Sequence, residues 1–420
     1  MYKKLCIIAA AVLLVAAVTL FAQPGSPQQS GAPQQPGRGG PGGPGGRGGG
    51  SPLNVAPSAD HPLMTIGTAF PDFNLPGVDG KNHTLAEFKG GKALIVLFEC
   101  VHCPVSQNYE GRSIALYQKF SPQGVKFVGI NPNNPKAVQL RELNYTDLSD
   151  SLDDMKIRAA QRHIPWQYLY DGETQRITQI FGAMATPHVF IFDADLKLRY
   201  QGRIDDNQNE DLVKVRDAAD ALDQLLAGKP VENPTRPAFG CSTKWLEKSQ
   251  GVEQELARVQ ARPVNVSTLA KDGLGALKAN EGQKVAVIHF WSTSNKGAVA
   301  NFKDLMTTWY WYESRPYQFI TVNVDGVGDT KATDFLKAQF ASATNYSLAP
   351  ADLDAAMTAL GTRWDKSREF TIVLAPGGKV VYSRVGPVNI QDIRHASLIT
   401  FPDNRTFPGQ AKYWNELKWF

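Results

Sequence analysis

One stretch limits what this chain can fold into more than any other: Leu94-Ile95-Val96-Leu97-Phe98-Glu99-Cys100-Val101-His102-Cys103-Pro104. The apolar run, β-branched and aromatic in character, predicts a buried strand. It ends in a C-x-x-C pair, and the second Cys is followed at once by Pro. Beyond it Tyr109, Ile114, Leu116 and Tyr117 supply enough apolar spacing for a helix. Pro104 suits the first helical position, where its missing N–H breaks no bond. Cys103 is therefore expected at the N-cap of a helix that follows a central strand. The helix dipole and the unpaired backbone N–H groups there favour a thiolate, the form of Cys that attacks.

At 420 residues the chain has room for two domains, each with its own core. It opens Met-Tyr-Lys3-Lys4, runs without charge from Cys6 to Phe21 and reaches the small residue Ala22. This pattern predicts a secretory signal peptide over 1–22, and so an extracytoplasmic protein, periplasmic or secreted. The rival is an uncleaved membrane anchor, for which the run falls short of the roughly 20 residues a spanning helix needs. A membrane is a partner only in that case. Cys6 leaves with the leader, so Cys100, Cys103 and Cys241 remain. Residues 23–59 predict a disordered tether, because their Pro, Gly, Gln and Ser cannot bury apolar surface. The Arg-Gly-Gly steps at Arg38 and Arg47 are similar to RNA-binding tails, but the charge is sparse. Lys3, Lys4, Arg38 and Arg47 all precede Pro52, and the remainder holds 40 basic and 40 acidic residues. No basic surface is implied, and nucleic acid is not expected as a partner.

In chain order, Phe70–Pro76 and Asn82–Phe88 suggest a short hairpin-like opening, followed by the central strand and a helix to about Phe120. Val125–Asn131 reads as the next strand. Residues 132–170 read as polar and irregular, with a helical patch near Met155–Gln161. Glu173–Phe181 is an amphipathic helix, His188–Asp193 and Leu198–Arg203 are paired strands, and Leu212–Leu226 is a closing helix. The order predicts an α/β fold of thioredoxin-like sandwich type, a central mixed β-sheet flanked by helices.

Residues 60–247 resemble the peroxiredoxin-like branch of the thioredoxin superfamily, the alkyl hydroperoxide reductase/thiol-specific antioxidant redoxins. The resemblance lies in Phe98-Glu-Cys-Val-His-Cys-Pro, Gly129-Ile-Asn-Pro-Asn, Tyr168-Leu-Tyr-Asp, Ala185-Thr-Pro187, Tyr200-Gln-Gly-Arg-Ile-Asp-Asp and Gly240-Cys-Ser-Thr-Lys-Trp. Residues 248–420 repeat the pattern, with Val285–Asn295 as a second central strand and loop, and make a second, tandem sandwich. Aligning Phe98 with Phe290 sets Ser292 opposite Cys100 and Asn295 opposite Cys103. Aligning Lys197 with Lys379 sets Glu369 opposite Pro187. This half resembles the thioredoxins of cytochrome maturation with both Cys and the Pro gone. With no Cys beyond Cys241 it reads as a degenerate, redox-silent domain that docks, shields or recognises.

The resemblance implies thiol chemistry and names its residues. Cys103 aligns with the peroxide-attacking Cys of the family, also followed by Pro, and is expected to be the nucleophile. Cys100 is expected to be its nearest resolving partner. His102 lies between them: as a cation it would stabilise the thiolate and make the disulfide more oxidising, and otherwise it is an exposed loop residue. Cys241 either resolves Cys103, pairs with Cys100 or is a buried structural residue. Thr186-Pro187 resembles the cis-Pro loop beside the thiols of thioredoxins, which would offer the Thr186 backbone to an extended substrate. Peroxidases of the family carry a Thr three residues before the attacking Cys and an Arg near the later strand. Here Cys100 and Pro187 hold those places, with Arg203 as the candidate substitute.

The expected activity is extracytoplasmic thiol–disulfide exchange through Cys100 and Cys103, on protein thiols or disulfides. A thiol peroxidase using Cys103 on small peroxides is the alternative within the same class. A non-enzymatic secreted binding module, its Cys pair a fixed disulfide or a metal site, is the alternative outside it. Zinc needs about four ligands, and Cys100, Cys103, Cys241 and His102 straddling a tight helix cap make poor tetrahedral geometry. No metal and no cofactor are expected.

Overall fold

The apolar run is the middle of a sheet. All six side chains of Ala93–Phe98 are buried, and alternate ones face opposite layers, as the two-residue period of a strand requires. Ala93, Ile95 and Leu97 join a cluster with Val189, Ile191 and Leu222, while Leu94, Val96 and Phe98 pack on Phe70, Phe181 and Phe190. Each such Leu, Ile or Phe contributes roughly 1.5–3 kcal/mol by leaving water.

The computed structural model describes Val55 and residues 58–402, apart from Lys271 and 365–367. The leader expected over 1–22 and most of the tether expected over 23–59 lie outside the described residues. Val55, within that tether, donates its N–H to Ala238 O at 3.2 Å.

The first half runs β1 (Asn74–Pro76), β2 (Asn82–Thr84), β3 (Ala93–Phe98), α1 (Pro104–Phe120), β4 (Val125–Asn131), α2 (Leu152–Arg162), β5 (Gln167–Tyr170), α3 (Arg176–Phe181), β6 (Ala185–Thr186), β7 (His188–Asp193), β8 (Leu198–Gly202), α4 (Asp217–Leu226) and β9 (Cys241–Ser242). The second runs α5 (Ser249–Gln260), β10 (Val266–Thr268), α6 (Gly273–Ala279), β11 (Val285–Trp291), α7 (Lys296–Tyr312), β12 (Tyr317–Asn323), α8 (Thr330–Ala338), β13 (Thr344–Ser347), α9 (Leu353–Leu360), β14 (Phe370–Leu374), β15 (Val380–Val385) and α10 (Ile390–Leu398).

Two mixed sheets flanked by helices result. One has the order β5-β4-β3-β7-β8, the other β10-β13-β12-β11-β14-β15. In each, the central strand is parallel to one neighbour and antiparallel to the other. Phe98 pairs with His188 and Phe290 with Phe370, so Glu369 occupies the register position of Pro187. The sheets share one compact unit. Val138 and Leu143, from the connection between β4 and α2, lie in the same apolar cluster as Trp291, Tyr312 and Ile393 of the second half.

Three local expectations change. β5 is a strand inside the stretch read as irregular, paired in parallel with β4. The closing helix starts at Asp217 rather than Leu212, because Asp206 holds the preceding segment extended: its Oδ1 accepts Lys214 N at 2.8 Å and its own N–H goes to Val215 O at 3.1 Å. α3 starts at Arg176 rather than Glu173, after Gln175 takes a left-handed conformation with φ of 55°. Among the described residues no helix is long and apolar enough to cross a membrane.

Candidate active site

The site forms where β3 hands over to α1. Cys103 is the N-cap, with φ −71° and ψ 121°, and Pro104 follows at the first helical position. Ser106 N donates to Cys103 Sγ at 3.5 Å, one of the backbone donors that a helix start leaves without an internal partner. Cys103 Sγ also stands 3.6 Å from Thr186 O. Thr186-Pro187 is a cis peptide.

Cys103 is bonded to Cys241, 138 residues away, and Cys100 is a free, buried thiol. The pairing expected from the C-x-x-C spacing is thus not the one formed. Cys241 reaches the helix cap because its segment adds a strand to the cis-Pro loop: Thr186 pairs antiparallel with Cys241 and Ala185 with Ser242. Thr243 extends the contact, its N–H donating to Met184 O at 3.0 Å and its Oγ1 to Ala183 O at 2.6 Å. The backbone edge expected to receive an extended substrate is occupied by the chain's own segment 240–243, which connects α4 to α5. Cys103 is completely buried, whereas Cys241 keeps partial exposure.

The fit of this segment requires glycine. Gly240 has φ of 156°, and a Cβ there would stand 2.1 Å from Thr186 O. Gly240→Ala is expected to lift the segment and lower the effective concentration of Cys241 at Cys103. The fraction of the disulfide reduced at a fixed glutathione ratio should rise about tenfold, as read by differential alkylation of Cys103 and Cys241.

Cys100 faces the same loop, its Sγ 3.0 Å from Thr186 Oγ1 and 3.9 Å from His102 Nδ1. Burial pushes its thiol pKa up and the charge of Asp150 adds to this, against opposing contributions from His102 and Thr186. His102 is not an exposed loop residue: it is buried, and its Nδ1 bonds Asp150 Oδ2 at 2.5 Å. Asp150 also accepts Val101 N at 2.8 Å, His102 N at 3.1 Å and Asn133 Nδ2 at 2.8 Å. Burial opposes both charges, but their mutual attraction and hydrogen bonds outweigh it, holding Asp150 below the ordinary carboxylate range and pushing His102 up to about 10. Sequence reasoning missed Asp150, which nothing local marks as a partner of His102.

Cys100, His102 and Asp150 place a sulfur, a nitrogen and a carboxylate oxygen within 4.8 Å of one another. His102 Nδ1 is already bonded to Asp150, and Cys103 and Cys241 are bonded to each other. The trio is a hydrogen-bonded charge pair beside a thiol.

Glu99, also missed, lies just before the pair. It is buried, accepts from Trp166 Nε1 at 2.8 Å, and burial pushes its pKa up to about 8. The unfolded carboxyl ionises above about 4.5 while the folded one keeps its proton to about 8, so the native state binds the extra proton and stability falls as pH rises through that interval. Glu99→Gln removes this slope. It should raise stability at pH 8 by roughly 1–3 kcal/mol, measured by urea unfolding at pH 5 and 8.

Arg203 is not brought to the thiols. Its Nε pairs with Asp217 Oδ2 at 2.7 Å, beside Arg236 on the same carboxylate. Asp205, from the same motif, is buried, accepting from Arg112 Nη1 at 2.8 Å and Tyr109 Oη at 2.7 Å. In the second half Asn295 caps α7 through its side chain, accepting Gly297 N at 3.0 Å and Ala298 N at 3.2 Å. Ser292 bonds Asp325, which also accepts Thr293 N at 2.7 Å. Helix start and strand end are kept there, with oxygen and nitrogen in place of sulfur.

Residues 66–201 match the AhpC/TSA family. The chain is 29% identical over 153 residues to a thiol:disulfide interchange protein DsbE of Pseudomonas fluorescens biotype C, covering 35% of this chain and 73% of that protein. A solved structure of an uncharacterized conserved protein from Geobacillus kaustophilus is 35% identical, over 44% of this chain and 93% of that one, with a TM-score of 0.39. A hypothetical protein of Sinorhizobium meliloti 1021 is 31% identical, over 43% and 95%, also with a TM-score of 0.39. Over residues 66–201, about a third of its length, the chain is thus similar to the AhpC/TSA family.

Proposed function

We propose that this oxidoreductase of thiol and disulfide groups works outside the cytoplasm by disulfide exchange, with Cys103 as the nucleophile and Cys241 as the resolving thiol. The observation that carries the reading is the bond between Cys103 at the cap of α1 and Cys241 on a strand laid against Thr186. In the reduced enzyme the connecting segment that carries Cys241 swings off that edge, and an extended substrate segment takes its place. Cys103 thiolate attacks one sulfur of the substrate disulfide, forming a mixed disulfide and releasing the first substrate thiolate, which takes up a proton. Cys241 thiolate then attacks Cys103 Sγ and expels the second substrate thiol. The substrate gains two electrons and the enzyme is left with its Cys103–Cys241 bond. Run in reverse, the same steps oxidise a substrate dithiol. Cys100, its thiolate disfavoured by burial, stands beside this exchange and does not start it.

The leader-like start and a disulfide, which persists in oxidising compartments, support the location. Peroxidase chemistry is the weaker reading, since Arg203 is engaged by Asp217 and Cys100 holds the place of the family's Thr. The test is a glutathione redox titration with differential alkylation of each Cys. A reversible Cys103–Cys241 couple above about −300 mV is expected; a bond that resists reduction to lower potentials marks a structural disulfide and overturns the reading.

A further inference from the structure

The second half holds the loop that supplies Asp150, and we propose that Tyr312 and Arg394 are positioning residues for the thiol site, acting through that loop on His102. Tyr312, the last residue of α7, donates its Oη to Thr146 O at 2.7 Å. Arg394, on α10, donates Nη1 to the next carbonyl, Asp147 O, at 2.9 Å. The two gripped carbonyls lie four and three residues before Asp150, and all of these groups are buried. Arg394 is itself fixed, its Nε donating to Thr308 Oγ1 at 2.9 Å and its guanidinium lying 3.9 Å over the Trp311 ring.

On its other side the loop meets the site directly. Gln107 Nε2, on the helix that Cys103 caps, donates to Thr146 Oγ1 at 3.2 Å and to Val101 O at 2.9 Å. Asp150 takes the Val101 and His102 N–H groups and the His102 ring. A loop with backbone carbonyls pinned from one half and side chains bonded to the other cannot shift without moving the His102–Asp150 pair. The second half, which has no thiol, thereby sets the charge that stands beside Cys100, in the loop that leads into Cys103.

This rests on the exchange reading above, and the test separates the two. In the full-length protein, Tyr312→Phe and Arg394→Met are compared with Arg394→Lys, which keeps the cation and a donor. Two quantities are read: the equilibrium constant of Cys103–Cys241 against glutathione at pH 7, and the downfield NMR signal of the His102 Nδ1 proton. Tyr312→Phe and Arg394→Met should each make the disulfide less oxidising by about tenfold in the equilibrium constant, about 30 mV for a two-electron couple. Each should broaden or shift the proton signal, while Arg394→Lys restores both. Combined with Asp150→Asn, neither should add its full effect, since the two changes act on one path. Unchanged equilibrium constants and proton signals in Tyr312→Phe and Arg394→Met, with only the urea midpoint lowered, would overturn the proposal. A wild-type disulfide that glutathione does not reduce sinks the exchange reading alone, because the proton signal still decides the grip.

Discussion

Cys103→Ser reduces disulfide-exchange activity by at least about a hundredfold, to the uncatalysed background, because a serine hydroxyl neither ionises near neutral pH nor forms the mixed disulfide. The assay is reduction of insulin or oxidation of a dithiol peptide. The loss must be told apart from lost stability: removing a cross-link between residues 138 apart costs about 4–5 kcal/mol in the oxidised protein on the chain-entropy argument. Cys241→Ser removes the same cross-link and serves as the control. It should keep a single turnover, stalling at the mixed disulfide on Cys103, whereas Cys103→Ser makes none. Cys100→Ser should keep activity within about threefold, since Cys100 stands outside the Cys103–Cys241 bond and its thiolate is disfavoured. Equal loss in Cys100→Ser and Cys103→Ser would return the chemistry to the C-x-x-C pair.

Asp150→Asn should destabilise the native state by about 3–5 kcal/mol at pH 6, the cost of leaving one partner of a buried charge pair alone. The carboxylate accepts from four donors, and an amide in its place turns a donor toward one of them. The pH dependence follows from the two shifts. His102 is raised from 6.5 to about 10, so the stability it contributes is fully present below about pH 6.5 and is lost as pH rises toward 10. Asp150 is lowered from 3.8, so its contribution is present above that value and lost as pH falls through the folded one. The wild type should therefore lose stability between pH 6.5 and 10, a slope that Asp150→Asn flattens. Urea midpoints at pH 6, 8 and 9.5 measure it, and parallel curves for the two proteins would contradict the pairing.

Features encoded by near neighbours were legible in the sequence. The apolar run, the Pro104 helix start and the cap at Cys103 need only adjacent residues, and β3 and α1 stand as read. What the sequence hid is non-local. C-x-x-C spacing points to Cys100, but the strand added at Thr186 delivers Cys241 instead, through contacts at Ala183 and Met184 that no spacing rule reports. His102 looked like a loop residue because its partner is 48 positions away in a stretch without regular structure. Arg203, placed near the thiols by analogy, was drawn to Asp217 at the start of α4. Edge strand β5 is too short for its alternation to stand out.

The most direct measurement is peptide mapping of the covalent adduct that the Cys100→Ser/Cys241→Ser double variant forms with a disulfide-bearing protein. The expected result is one adduct, joined through Cys103, dissolved by dithiothreitol and absent when Cys103→Ser is added. No adduct with a folded double variant, while the wild type still exchanges disulfides, would show that the sulfur at the head of α1 is not the one that attacks.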